Sequence, residues 1–193
     1  MDEDEERSQK IQMIAFTTNE NAYSPNSIIS NYTANNSHFL IKKNKQLIAF
    51  STVLPEQKKP TKIMIITLFD LSSEYEGIND VNCYLIVIDL KKEISRDKYS
   101  EILTYIQTYC NVSKKIYLLG IKKDDEEKIK LTEDEINEKI KELQLDYEYI
   151  GLNADNSMQI SNKVLEIFNY CYKNSDNDNL LKSDEHGKSC EIY

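Results

Sequence analysis

The run YLIVIDL at residues 84–90 constrains the fold most. It is strand-length and apolar on both of its alternating faces, so each face must be covered by other parts of the chain. A sheet covered on both sides needs helices between its strands, and the rest of the sequence supplies that alternation. Residues 10–16 (KIQMIAF), 46–54 (QLIAFSTVL), 61–69 (TKIMIITLF), 115–121 and 147–152 also read as strands. Ser24-Pro25 marks a helix start, cap then first-turn proline, with Ile28, Ile29 and Tyr32 following. Tyr99, Ile102, Leu103, Ile106, Tyr109 and Cys110 share one helical face across 96–110. Thr132 and Glu135 form a capping-box pair opening a helix to residue 145, striped by Ile136, Ile140 and Leu143. Ile160, Val164, Ile167, Phe168 and Cys171 line a last helix over 157–172.

The order β-α-β-β-β-α-β-α-β-α predicts an α/β fold in three layers. Its six-stranded sheet is mostly parallel, with helices on both faces. The short joint PEQKKP at 55–60 makes one strand of the early pair antiparallel. Residues 1–9 read as an acidic flexible leader, 10–173 as the domain, and 174–193 as a flexible tail of turn composition. The polar stretch 33–45 reads as a loop. Sheets of this kind place ligands at the carboxyl ends of their strands, which here lead into residues 17–24, 70–74, 121–124 and 153–155.

Net charge is −9, which argues against binding a nucleic-acid backbone or docking electrostatically on anionic lipid. No apolar run approaches the roughly 18 residues that span a bilayer. Cys83, Cys110 and Cys171 fall on apolar strand or helix faces without metal spacing, as buried reduced thiols of a cytoplasmic protein would. His38 and His186 sit in polar segments and read as surface residues.

From Gln46 onward the chain resembles a small GTPase of the Ras superfamily, most like the Rab group. STVLPEQKKPTKIMIITLFDLSSE resembles that family's strand, hairpin and strand running into its Asp-Thr-Ala-Gly-Gln-Glu switch. KKIYLLGIKKDD resembles its fifth strand and guanine loop, Asn-Lys-x-Asp, and YEYIGLNADN its Ser-Ala-Lys strand. The resemblance implies a P-loop-GTPase-like fold over roughly residues 10–173. It also implies that Lys122 covers a guanine ring, Asp124 accepts its N–H donors and the Ala154 N–H meets its oxygen. Asp70 stands where the family reaches Mg²⁺ through water.

Departures from the family pattern are concentrated at the phosphate end. The family's loop, Gly-x-x-x-x-Gly-Lys-Ser/Thr, closes backbone N–H groups and a lysine on the phosphates. Here the first strand leads into FTTNENAYSPNS, with neither Gly nor Lys, and Glu20 adds a carboxylate. Ser73 and Glu74 replace the switch Gly and Gln. Thr33 matches the Mg²⁺-binding Thr only by type. Ile121 replaces the guanine-loop Asn, and Asp155 the Lys of Ser-Ala-Lys. The chain is also short between Glu74 and Tyr84, so the family's second helix is expected to be truncated or lost. The Gly187-Lys188-Ser189 triplet follows no strand and reads as tail. Cys190-Glu191-Ile192-Tyr193 has the C-a-a-X form, which would make Cys190 a prenylation site giving reversible membrane association.

Three readings follow. In the first, the chain is a pseudo-GTPase: an interaction module that binds effector- or regulator-like proteins in vesicle trafficking or signalling. It needs no cofactor, lacks efficient GTP hydrolysis, and is cytoplasmic or on the cytosolic face of an internal membrane. In the second, it is a divergent GTPase binding GTP or GDP with Mg²⁺. In the third, it is another doubly wound domain, and then the early antiparallel strand pair is missing.

Overall fold

The structure is a computed structural model of the full chain. It describes residues 10–19, 23–36, 38–43, 46–55, 57, 60–69, 71, 81–123 and 129–185, with side chains described up to Ser175. The elements in order are β1 (Lys10–Thr17), α1 (Pro25–Asn35), β2 (His38–Lys43), β3 (Leu47–Thr52), β4 (Thr61–Thr67), β5 (Cys83–Asp89), α2 (Ile94–Tyr109), β6 (Ile116–Lys122), α3 (Glu133–Glu142), β7 (Tyr147–Asn153) and α4 (Ser157–Glu185).

One sheet of seven strands runs in the order β2-β3-β4-β1-β5-β6-β7. Only β3 runs against the others; it pairs antiparallel with β4 on one side and β2 on the other. β5 holds the position that its apolar run requires. It lies in the parallel interior of the sheet between β1 and β6, and every one of its residues is buried.

The two faces carry separate cores. Met13, Cys83, Leu85, Tyr117, Leu119 and their neighbours pack under α1 and α4. Ile14, Phe16, Tyr84, Ile86, Leu118 and theirs pack under α2 and α3. Alternation along each strand decides which core a residue joins. Phe168 of α4, Tyr32 of α1 and Phe50 of β3 close the first core. The Phe168 and Tyr32 rings meet edge to face at 5.0 Å, and each ring lies 6.0 Å from Phe50.

The caps form where the sequence places them. The Ser24 hydroxyl accepts from the Ser27 N–H, with Pro25 in the first turn. Thr132 and Glu135 complete a reciprocal capping box. A Cβ at Gly120 would lie 2.8 Å from ring carbons of Tyr149, so a larger residue there requires that ring to shift.

The structure corrects two expectations. The sheet has seven strands rather than six, because part of the expected loop 33–45 is β2. All of β2 is exposed at the sheet edge, so it shows no buried–exposed alternation, and only its hydrogen bonds to β3 define it. The last helix, expected over 157–172, continues as α4 to Glu185. No Gly or Pro occurs between Ser157 and His186 to stop the helix. The antiparallel pair whose absence would have favoured another doubly wound domain is present. The expected loss of a helix between Glu74 and Tyr84 falls on residues 72–80, outside the described residues.

Candidate functional site

The parallel strands β1, β5, β6 and β7 end on one side of the sheet, the side where α/β folds bind ligands. Two groups of residues meet there.

The first joins the ends of β1 and β5 to the start of α2. The Thr18 N–H donates to the Val87 carbonyl at 3.0 Å. The Thr18 hydroxyl donates to Ser95 Oγ at 2.9 Å and accepts from the Asp89 N–H at 3.0 Å. The Asn19 side-chain amide donates to one Asp89 carboxylate oxygen at 2.8 Å, and the Lys91 N–H donates to the other at 3.1 Å. Thr17 Oγ1 accepts from the Asn19 N–H at 3.2 Å and donates to the Tyr23 carbonyl at 2.8 Å. Asp89 is 2% exposed, Thr18 5% and Ser95 0%. Burial of this depth requires such partners, because an unsatisfied polar group there costs about 1–3 kcal/mol.

A phosphate cradle requires N–H groups that converge on empty space. At the end of β1, the N–H groups of Thr18 and Asn19 are already spent inside the chain. The charged group held beside them is a carboxylate. Among the described residues at this end, these two N–H groups are therefore not available to a phosphate. Among the described residues, no group of His, Cys, Asp and Glu could hold a metal ion.

The second group joins the ends of β6 and β7. Lys122 and Asn153 are register partners. The Ala154 N–H, which the resemblance assigns to a guanine oxygen, donates to the Lys122 carbonyl at 2.7 Å. Asn153 Oδ1 accepts from the Asp155 N–H at 2.9 Å, and the Asn153 N–H donates to Gln159 Oε1 at 3.1 Å. Lys122 is exposed. Ile121 points the other way and is fully buried in the core under α1 and α4. Its replacement of Asn thus serves packing.

The structure thus brings Lys122 and Ala154 together, while Asp124, Asp70 and Cys190 lie outside the described residues, as do Glu20, Ser73 and Glu74. Thr33 is on α1 and bonds back to the Ile29 and Ser30 carbonyls at 3.2 Å each, away from the strand ends. His38 is exposed on β2. Sequence reasoning missed Asp89, Thr18 and Ser95. A carboxylate closing the apolar run YLIVIDL was the available signal for Asp89. Ser95 had none, since its role depends on α2 starting beside β1.

The Ras family model matches residues 71–173. That span begins after β4 and runs through β5, α2, β6, α3 and β7 into α4. No curated protein sequence matches the chain significantly. The matched span is more than half of the chain, and with the doubly covered, mostly parallel sheet it shows that the chain belongs to the Ras family.

Proposed function

We propose that this Ras-family chain is a Rab-like pseudo-GTPase: an interaction module for effector- or regulator-like proteins, in vesicle trafficking or signalling, without efficient GTP hydrolysis. The observation that carries this reading is the engaged end of β1, where Asn19 and Thr18 bond to Asp89, Ser95 and Val87. The Gly- and Lys-free sequence of that segment supports it. Partner binding is then set by the folded surface, with no nucleotide or Mg²⁺ needed to order it. Reversible attachment to the cytosolic face of an internal membrane through Cys190 is part of the same proposal. Equilibrium titration with fluorescent GTP and GDP, with and without Mg²⁺, tests it. The expected result is no Mg²⁺-dependent binding in the micromolar range, and saturable binding at micromolar or lower concentration overturns the reading.

A second reading, a divergent GTPase, draws on the exposed Lys122 at the end of β6, two residues before Asp124 in the sequence. In that case Lys122 and Asp124 contact guanine, the Ala154 N–H leaves the Lys122 carbonyl for the guanine oxygen, Asp70 serves Mg²⁺, and Asp124→Ala abolishes the binding seen in the titration.

A further inference from the structure

Cys83 opens β5 and Cys171 lies on α4, 88 residues apart in sequence. The Cys171 thiol donates to Cys83 Sγ across 3.2 Å. Cys83 is 0% exposed and Cys171 1%, and both belong to the core under α1 and α4. Cys110 joins the side chains packed on the opposite face of the sheet, so the sheet itself separates it from this pair. A disulfide bond is about 2.05 Å long. The present contact, 3.2 Å, is longer than that bond, so the two sulfurs must approach each other for it to form.

We propose that Cys83 and Cys171 are a closable dithiol: a two-electron oxidant of the peroxide class joins them in an intramolecular disulfide that fastens α4 to the sheet. With hydrogen peroxide, one thiol, as thiolate, attacks a peroxide oxygen. The O–O bond breaks, water leaves after protonation, and the sulfur becomes a sulfenic acid. The second thiol then attacks that sulfur. The S–S bond forms, the S–O bond breaks, and a second water leaves. Two thiols have lost two electrons and two protons, and the peroxide has become two waters.

The surroundings set the rate and the consequence. Contact with Cys171, then burial, hold the Cys83 thiol well above its ordinary range, so thiolate forms chiefly when α4 opens locally. Lys115, then Lys114, favour a thiolate at Cys83; the Lys115 ammonium stands over the Tyr117 and Tyr170 rings at 5.1 and 4.7 Å. Once closed, the bond ties together segments 88 residues apart and removes the opening that admitted the oxidant. Because α4 also packs on α1, the whole helical layer on that face is fixed with it.

The test uses the full chain as it exists, so no variant has to fold. The reduced protein is held in hydrogen peroxide, and separately in a series of oxidised to reduced glutathione ratios, until its composition is constant. It is then denatured in N-ethylmaleimide, digested and analysed by mass spectrometry. The expected result is a peptide pair linked through Cys83 and Cys171, two fewer alkylated thiols, a higher Tm than the reduced form, and reversal of both by dithiothreitol. Full alkylation of Cys83 and Cys171 at every ratio overturns the proposal. So does a linkage that pairs either residue with Cys110, or a linked form with a lower Tm.

Discussion

Asn19 gives its side-chain amide to the Asp89 carboxylate across 2.8 Å, at a sequence separation of 70 residues. This contact ties the end of β1 to the end of β5 at the place where a Ras-family fold would close on phosphates. Beside it, the Thr18 hydroxyl bridges the Asp89 N–H and Ser95. Thr18→Val keeps the shape and strands both partners, so it should lower stability by about 1–3 kcal/mol. Urea unfolding checks this: the midpoint falls while the slope stays that of the wild type. An unchanged midpoint would mean that the bridge is not made.

Glu135 predicts behaviour in acid. Its carboxylate accepts from the Thr132 N–H at 2.8 Å and from the Thr132 hydroxyl at 3.0 Å, and pairs with Arg96 at 2.6 Å. The Thr132 N–H, then its hydroxyl, then Arg96 hold its pKa below the ordinary glutamate value. The folded pKa is depressed, so the contribution is present above the unfolded value of about 4.3 and disappears as pH falls through the folded value. Glu135→Gln keeps a capping side chain at that position. Its stability should therefore fall less steeply in acid than the wild type's, as thermal melts between about pH 5 and 3 would record. Parallel acid limbs would refute the assignment.

At the alkaline end the sign is reversed. Burial pushes the Tyr149 hydroxyl and the Cys110 thiol each up to about 12, and raises Tyr32, Tyr84, Tyr99 and Tyr117 as well. The unfolded chain gives up these protons from about pH 8.5 for cysteine and about 10 for tyrosine. Stability is full below those values and declines as pH rises above them. Absorbance of tyrosinate near 295 nm should then rise in two stages: exposed rings first, buried rings only as the far-ultraviolet circular dichroism is lost. Complete ionisation near pH 10 with helical signal intact would contradict this.

Phe168 is the central side chain of the layer that joins α4 to α1 and β3. It is fully buried and in contact with Tyr32 and Phe50. Phe168→Ala opens a cavity beside the buried Tyr32 of α1 and Phe50 of β3, so it should cost about 3–5 kcal/mol. Chemical denaturation gives the value directly. A loss under about 1 kcal/mol would show that α4 is held elsewhere.

The sequence by itself determined what local pattern can encode. Apolar run lengths placed β1, β4, β5 and β6, and periodicity placed α2 and α3. The capping residues Ser24 and Thr132 placed two helix starts. The missing Gly and Lys after β1 identified which end of the site departs from the family. The tertiary structure alone decided the rest, because the deciding partners are far apart in the chain. The strand β2 is defined by its pairing with β3, and its exposed residues show no buried–exposed alternation that would mark it. Ile121 is a core residue because β6 presents it toward α4. Lys122 and Ala154 meet through the β6–β7 register, which spends the Ala154 N–H inside the chain. Asp89 could be read as the last residue of an apolar strand. Its role as the anchor of Asn19 appears only when β1 and β5 lie side by side, since a buried carboxylate takes whichever donors the fold brings within reach.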